Sequence, residues 1–296
     1  MSAKEPVAVK AHAKINAFLR VLGRRPDGFH DLETLLIPLD LHDVVTAEPG
    51  PGGLTLSVAG PLGEQVPPGE ENLVMVAARA LAEATGLASP SARLTIDKRV
   101  PVAAGMGGGS ADAAAALRAL ERLWGTALEP DALREVAAHV GSDVPALLAG
   151  GAVFAAGRGE RVHPVHVQTT SWVVKPLGFA VRTPDAFAWW DAEGATGPDA
   201  GALIAAAETG NDELLGHALF NDLQAPVIAR HPEIAETIET FIDAGALGAV
   251  MTGSGPTVVA LATHPAHADR VAEAVPGSFV ASGPPVATPQ PLSGAG

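Results

Sequence analysis

The 296-residue chain contains no cysteine and no tyrosine, and it has few lysines. The lack of cysteine excludes disulfides, thiolate metal sites and a cysteine nucleophile. The formal net charge of -14 argues against nucleic acid or membrane partners, because both need a basic surface. No apolar run approaches the length of a membrane span, and the N-terminus lacks a signal-peptide pattern. We therefore expect a cytoplasmic protein that meets any anionic ligand by local geometry.

The apolar content is that of a globular protein, and the first 60 residues read as short strands. In "AKINAFLRV" the period of two places Lys14 and Asn16 on the same face of one strand. The following "GRRPDGFH" contains the residue types of a tight turn. A hairpin is therefore predicted, with Phe29 and His30 just past its tip.

The strongest local signal is "PVAAGMGGGSADAAAALRAL", residues 101–120, where a strand leads through glycines into an amphipathic helix. Backbone amides that converge at a helix N-terminus favour phosphate binding, and a flexible surface turn is the alternative. The segment is not a Walker loop, because no lysine follows the last glycine. Ser110 either caps the helix or holds a magnesium ion or a phosphate oxygen, and Asp112 suits a capping role.

The rest of the chain alternates between helical and strand patterns, with a domain boundary expected within residues 157–165. The sequence predicts three segments: an N-terminal domain over 1–160, a C-terminal domain over 161–282 and a disordered tail over 283–296. Residues 182–201 are predicted as a loop because they are rich in Pro, Asp and Gly.

Four segments carry a family resemblance: "AKINAFLRVLGRRPDGFH", "PVAAGMGGGSADAAAAL", "GSDVPALLAGG" and "TGSGPTVVAL". In this order they resemble the signature segments of the galactokinase, homoserine kinase, mevalonate kinase and phosphomevalonate kinase (GHMP) superfamily. "AKIN" with "RPDGFH" more narrowly resembles the 4-diphosphocytidyl-2-C-methyl-D-erythritol kinase family of the non-mevalonate isoprenoid pathway. The resemblance extends from about Ala11 to Leu261.

The resemblance implies a two-domain α+β fold, with an N-terminal domain like ribosomal protein S5, a ferredoxin-like C-terminal domain and the active site in the cleft between them. It also implies ATP-dependent phosphorylation of a small molecule, the 2-hydroxyl of 4-diphosphocytidyl-2-C-methyl-D-erythritol, with Mg²⁺ as the cofactor of ATP. Neither the magnesium ligands nor the oligomeric state is indicated by the sequence.

Catalytic roles are carried over where the segments match. Asp143 is expected to act on the substrate hydroxyl, and Lys14 to stabilise that group or the transferring phosphate. Without the resemblance, "GSDVP" would be a helix cap with Asp143 in its first turn.

Substrate contacts follow in the same way. Asn16 matches a position near the reacting end of the substrate, with a water-facing strand residue as the alternative. His30 matches a histidine that hydrogen-bonds the cytosine, and Phe29 an aromatic that stacks on it, where many relatives have tyrosine. Phe187 is the second stacking candidate or a core residue, and the neighbouring Trp189 and Trp190 are open to the same two interpretations.

For ATP, the resemblance places Asn72 and Lys98 near the adenine and ribose, although Lys98 could equally be a solvated strand end. The loop expected to cradle the phosphates comprises Gly105, Met106, Gly107, Gly108, Gly109 and Ser110. "TGSGPT", with Gly253, Ser254 and Gly255, resembles the third superfamily motif, and an ordinary hairpin is its alternative.

Two other functions stay open at this point. One is a sister kinase of the homoserine or mevalonate type, against which "RPDGFH" argues. The other is a non-catalytic nucleotide-binding protein on the same fold, against which the presence of Lys14 and Asp143 argues. Relatives often carry glycine where this chain has Ala103 and Ala104, so we expect a more constrained start of the glycine loop.

Overall fold

A computed structural model describes residues 5–50 and 52–285 of the chain. The larger of its two sheets has seven strands in the order β3-β4-β2-β1-β8, with β5 paired to β2 and β6 paired to β5. These strands are β1 (Val7–Arg24), β2 (His30–Glu48), β3 (Leu54–Ala59), β4 (Ala92–Asp97), β5 (Val153–Gly157), β6 (Arg161–Pro164) and β8 (Phe220–Asn221).

The long hairpin of β1 and β2 is the centre of this sheet. The two strands pair antiparallel over nearly their whole length, and the predicted turn lies between Arg24 and His30. Register shifts interrupt the pairing next to Lys14 and between Asn16 and Phe18. Because of the second shift, Phe18 is buried in the core although the simple alternation puts it on the Lys14 face.

Four helices cover one face of the larger sheet. The long helix packs directly against the central hairpin, because the small side chains of its alanine run let the helix backbone come close to the strands. The four are α1 (Leu73–Ala84), α2 (Gly108–Trp124), α3 (Pro130–Val140) and α4 (Val144–Ala149).

The second sheet has four antiparallel strands in the order β11-β7-β10-β9. This order, with helices between the first and second and between the third and fourth strands, is that of a ferredoxin-like domain. Its strands are β7 (Thr170–Lys175), β9 (Gly248–Met251), β10 (Val258–Ala262) and β11 (Phe279–Gly283). The helices are α5 (Thr183–Glu193), α6 (Gly201–Thr209), α7 (Asp212–His217), α8 (Gln224–Ile228), α9 (Glu233–Asp243) and α10 (Pro265–Ala274). The predicted α+β class is confirmed.

The predicted loop over residues 182–201 is wrong, because its first half forms α5. Pro184 lies in the first turn of that helix, where a missing backbone N–H costs nothing. Ala186 and Trp190 then bury one side of the helix in a hydrophobic cluster shared with α8. The turn-forming composition was therefore outweighed by tertiary packing.

The domain boundary stays a prediction. β6, which begins at Arg161, still pairs with the larger sheet, and the smaller sheet starts at Thr170. Of the predicted tail, residues 286–296 lie outside the described residues, whereas Gly283 belongs to β11. None of the helices within the described ranges is long and apolar enough to cross a membrane.

Candidate active site

Lys14 and Asn16 point to the same side of β1, as the strand period predicted. Lys14 Nζ donates to Asn16 Oδ1 at 2.6 Å and to the carbonyl of Gly105 at 3.0 Å. The backbone N–H of Lys14 also donates to Met106 O at 3.0 Å. The strand is thus tied to the glycine loop through both the backbone and the side chain of one residue.

Asp143 provides the negative partner of Lys14. Its Oδ2 lies 3.7 Å from Lys14 Nζ, and the Asp143 side chain is 41% exposed, whereas that of Lys14 is 5% exposed. Burial lowers the pKa of Lys14, and the charge of Asp143 opposes part of that effect. Asp143 occupies the N-cap position of α4 but makes no side-chain capping bond, so its carboxylate faces the cavity described below.

Asn16 is buried and hydrogen-bonded through its side chain and its backbone N–H, which excludes the water-facing alternative. Its Nδ2 donates to Thr34 Oγ1 at 2.7 Å, and its backbone N–H donates to Thr252 Oγ1 at 2.7 Å. Asn16 therefore joins both strands of the hairpin to the Gly253 turn and holds Lys14 from the side.

Glycine is required at two positions of the loop. Gly105 and Gly107 have φ of 74° and 67°, a left-handed conformation that other residues adopt at a cost. A Cβ at position 107 would lie 2.9 Å from Lys14 Cε, and one at position 105 would lie 2.7 Å from Thr252 O. The loop is therefore packed around the lysine and against the third motif.

The third motif, the turn with Gly253, Ser254 and Gly255, packs against Lys14 and the glycine loop. Gly253 has φ of 59°, and a Cβ there would lie 3.4 Å from Lys14 Nζ. Gly253 and Ser254 line the cavity that contains Asp143, whereas Gly255 packs behind them against Met251. The turn thus closes one wall around Lys14.

Lys98 is buried beneath the glycine loop. Its Nζ lies 2.5 Å from Asp43 Oδ2 and 2.9 Å from Asp112 Oδ2. Asp112 lies beyond the first turn of α2 and does not cap the helix. Burial is the main effect that raises the pKa of Asp112, to about 7, and Lys98 opposes it. The solvated-strand-end interpretation of Lys98 is excluded, because the side chain is 2% exposed.

A first cavity, the loop cavity, of about 400 Å³ is lined by residues 101–110 together with Asn72, Leu73, Lys98 and Asp112. Asn72 is the N-cap of α1, where its Oδ1 accepts from the backbone N–H of Val74 at 3.0 Å. Gly107 is the N-cap of α2, so the N–H groups of that helix end open toward this cavity. Ser110 lies in the first turn of α2 and does not cap it.

A second cavity, the hairpin cavity, of about 590 Å³ is lined by Lys14, Asn16 and Asp143 and also by Phe29, His30 and Phe187. The rings of His30 and Phe187 stack at 4.6 Å between centroids, 20° from parallel. His30 Nε2 lies 2.8 Å from Asp191 Oδ1. The hairpin tip and α5 therefore meet in one aromatic wall.

The two cavities meet at the glycine loop, because Gly105 and Gly107 line both. Lys14 and Asp143 lie beside this junction. Such an arrangement can hold a phosphate-bearing group on one side and an alcohol on the other, with a cation and a carboxylate between them.

Phe29 is the exposed member of the aromatic wall, with 47% of its surface accessible. The guanidinium carbon of Arg158 lies 3.7 Å from its ring centroid. Neither Trp189 nor Trp190 lines the cavity: Trp190 is buried, and the guanidinium of Arg230 lies over the ring of Trp189. Both residues pack in one hydrophobic cluster, so the core interpretation fits the structure and the pocket-lining interpretation does not.

Sequence reasoning missed three residues that shape the site. Arg158 and Asp191 line the hairpin cavity, and Asp43 anchors Lys98. No short motif marks them, and only the "GRG" at the end of β5 gave a turn signal near Arg158. Within residues 5–50 and 52–285, no group of three or more His, Cys, Asp and Glu side chains is placed to hold a metal ion.

Comparisons with known proteins identify the family of the chain. Residues 72–151 match the model of the GHMP kinases N-terminal domain, and residues 203–281 match that of the GHMP kinases C-terminal domain. A 4-diphosphocytidyl-2-C-methyl-D-erythritol kinase of Salinispora tropica is 45% identical over 91% of this chain and 88% of its own. The kinase of the same name from Streptomyces avermitilis is 42% identical over 98% of both chains.

Solved structures give the same result. A crystal structure of 4-(cytidine 5'-diphospho)-2C-methyl-D-erythritol kinase matches with a TM-score of 0.79 and 34% identity, covering 94% of this chain and 99% of the other. A homoserine kinase from Cytophaga hutchinsonii matches with a TM-score of 0.74 at 21% identity over 96% of both chains, which supports the shared fold alone. By identity and coverage, the chain belongs to the 4-diphosphocytidyl-2-C-methyl-D-erythritol kinase family of the GHMP kinases.

Proposed function

We infer that this chain transfers the terminal phosphate of ATP to the 2-hydroxyl of 4-diphosphocytidyl-2-C-methyl-D-erythritol, in the non-mevalonate route to isoprenoid precursors. The observation that carries the assignment is the position of Lys14 and Asp143, 3.7 Å apart beside the junction of two cavities. The loop cavity suits ATP, and the hairpin cavity suits a nucleotide-bearing alcohol.

Asp143 is proposed to orient the acceptor hydroxyl and to take its proton. The hydroxyl oxygen then forms a bond to the terminal phosphorus of ATP, the bond from that phosphorus to the bridging oxygen breaks, and ADP leaves. The carboxylate suits this task because it is accessible from the cavity and makes no capping bond.

Lys14 is proposed to stabilise the negative charge on the transferring phosphoryl group. Its ammonium is held in place by Asn16 Oδ1 and Gly105 O, so little reorganisation is needed at the moment of reaction. The glycine loop has no lysine of its own, and β1 brings this positive charge to it.

The amides of residues 105–110 are proposed to bind the phosphates of ATP at the start of α2. Asn72 and Lys98 line the same cavity, and we propose that the adenine and ribose lie on their side of it. Lys98 Nζ is engaged by two carboxylates, so we propose that it shapes the cavity wall and does not donate to the nucleotide through its ammonium.

Magnesium is proposed to enter with ATP, because Mg²⁺ prefers phosphate oxygens and waters with one or two protein oxygens. The loop cavity fits such an ion, since Ser110 brings a hydroxyl oxygen that is not used for capping. Ser110 would hold the ion, which would neutralise charge on the phosphates.

The cytosine is proposed to bind at the aromatic wall. His30 would hydrogen-bond its edge, and Phe29 and Phe187 would supply stacking faces. Asn16 would border the methylerythritol end beside Lys14. We also propose the division into domains at residues 160 and 161, with the hairpin cavity lined from both sides of that boundary.

The function is tested by incubating the purified protein with Mg²⁺, ATP and each of three acceptors: the cytidine diphosphate conjugate, homoserine and mevalonate. We expect ADP release to depend on the conjugate alone. Turnover with homoserine or mevalonate but not with the conjugate would assign the chain to a sister activity. Absence of turnover with all three would favour a non-catalytic nucleotide-binding protein.

A further inference from the structure

Arg158 lines the hairpin cavity directly after β5. Its guanidinium lies over the ring of Phe29, 3.7 Å from the centroid, on the wall proposed to receive the cytosine. The backbone N–H of Arg158 donates to Glu160 Oε2 at 2.6 Å, so that carboxylate fixes the backbone of the turn. The guanidinium is thus held in place by an aromatic face.

A comparison of the charges in the cavity singles this residue out. The lysine and arginine side chains that line the hairpin cavity are those of Lys14, Arg24 and Arg158. Lys14 pairs with Asp143 at 3.7 Å, and Arg24 pairs with Asp191 at 3.9 Å. The guanidinium of Arg158 has no carboxylate oxygen within 4.0 Å in the part of the chain that the structure describes. Its Nε is moreover buried without a hydrogen-bond partner. A cation in this state calls for an anionic ligand, because an unpaired buried donor is costly.

The position of Arg158 along the cavity indicates which anion it would meet. On one side it touches Phe29, at the proposed cytosine end. On the other side its neighbour Gly159 packs on the carbonyl of Ser142, where a Cβ would lie only 2.8 Å away. Ser142 directly precedes Asp143, at the proposed reacting end. Arg158 therefore lies between the two ends of the acceptor.

We propose that Arg158 binds the diphosphate that joins the cytidine to the alcohol portion of the acceptor. The inference rests on the proposed function and names a further residue that determines substrate specificity. A guanidinium offers two parallel N–H donors that match phosphate oxygens, a geometry that an ammonium does not reproduce. Arg158 thereby selects acceptors that carry a diphosphate and leaves the base to be selected by the aromatic wall.

Calorimetric titration of the full chain tests this assignment. Cytidine, CMP and CDP are titrated into the wild type and into Arg158→Gln, with saturating ADP present to fill the loop cavity. The control is Arg161→Gln, because Arg161 is a 62% exposed arginine on the adjacent strand with a 3.8 Å ion pair to Asp31. Arg158→Lys is included as the conservative variant, and thermal unfolding checks that each variant is folded.

We expect the wild type to bind CDP more tightly than cytidine. Arg158→Gln should weaken CDP by about 10- to 100-fold, the usual size of a charged hydrogen bond, and leave cytidine unchanged. Arg158→Lys should recover part of the CDP affinity, and Arg161→Gln should match the wild type.

Two results with Arg158→Gln would contradict the role of Arg158 without affecting the proposed function. Equal weakening of cytidine binding and CDP binding would make Arg158 a support for Phe29, and unchanged binding of both ligands would remove Arg158 from the site. Failure of the wild type to bind cytidine and CDP would instead overturn the proposed substrate, and the diphosphate assignment with it.

Discussion

Lys98 Nζ lies 2.5 Å from Asp43 Oδ2, with both side chains buried at the base of the glycine loop. Asp43 Oδ1 also accepts from the backbone N–H groups of Arg99 at 2.5 Å and Val100 at 2.8 Å. Lys98 in turn reaches Asp112 on α2. One carboxylate thus fixes the chain before the loop, and one lysine connects it to the helix after the loop.

Replacing Asp43 should damage both stability and ATP binding. Asp43→Asn removes the negative charge that pairs with Lys98 and that accepts from two backbone N–H groups. Breaking a buried ion pair costs about 3–5 kcal/mol. We expect denaturant unfolding to show a loss of this size and the KM for ATP to rise. The control is Glu48→Gln, because Glu48 lies on β2 like Asp43 but forms an exposed ion pair, with Arg93; its replacement should cost less than about 1 kcal/mol. Equal stability of the two variants would contradict the anchoring role.

Ala103 carries backbone strain at the start of the glycine loop. Its φ is 55°, in the left-handed region, which costs an L residue roughly 1–2 kcal/mol of conformational energy. Its side chain is exposed, so Ala103→Gly loses little packing and should raise the free energy of unfolding by about 1 kcal/mol. Ala104→Gly is the control, because that residue is buried and does not have positive φ, and it should destabilise. A destabilised Ala103→Gly would show that the strain is absent.

Asp191 is expected to position the imidazole of His30 for the cytosine. The carboxylate accepts from His30 Nε2 at 2.8 Å, which leaves Nδ1 for the ligand. Asp191→Asn should weaken cytidine binding by about 10-fold and reduce the preference for cytidine over uridine. Asp185→Asn on the same helix is the control, because Asp185 does not line the cavity. Unchanged cytidine affinity in Asp191→Asn would remove Asp191 from the site.

His12 should give the protein an acid-sensitive stability. Burial is the main effect that lowers its pKa below 6.5; His42 and Lys10 add to it, whereas Asp40 and the Leu39 carbonyl oppose it. Burial disfavours the charged imidazole, so the folded state binds a proton at His12 less readily than the unfolded state does. The contribution of neutral His12 to the free energy of unfolding is therefore fully present above pH 6.5 and is lost as the pH falls through the folded-state pKa.

The measurement for His12 is the free energy of unfolding between pH 7 and pH 5, in the wild type and in His12→Gln. The wild type should lose up to about 1.4 kcal/mol per pH unit more than the variant. His139→Gln, an exposed residue of α3, should follow the wild type. Identical slopes for His12→Gln and the wild type would show that His12 does not contribute.

Local patterns predicted a large part of the fold and of the site. The strand period placed Lys14 beside Asn16, and their side chains are in contact at 2.6 Å. The glycine segment was correctly predicted to join a strand to a helix, because glycine and alanine runs restrict the local backbone choices. These are features in which neighbouring residues determine the outcome.

Contacts between distant parts of the chain could not be predicted in this way. His30 and Asp191 are 161 residues apart, and Asp191 lies in a segment whose composition indicated a loop. Arg158 reaches Phe29 only because β5 pairs with β2. The buried pairing of Lys98 was hidden for the same reason, since Asp43 comes from another strand. Tertiary pairing decided each of these positions.

The catalytic role of Asp143 is the central claim, and the turnover of Asp143→Asn tests it most directly. The variant is compared with the wild type and with Asp131→Asn, an exposed control on α3, using Mg²⁺, ATP and the cytidine diphosphate conjugate. The account predicts that kcat falls by about 10²- to 10⁴-fold, with ATP affinity and the control unchanged. Wild-type turnover by Asp143→Asn would contradict it.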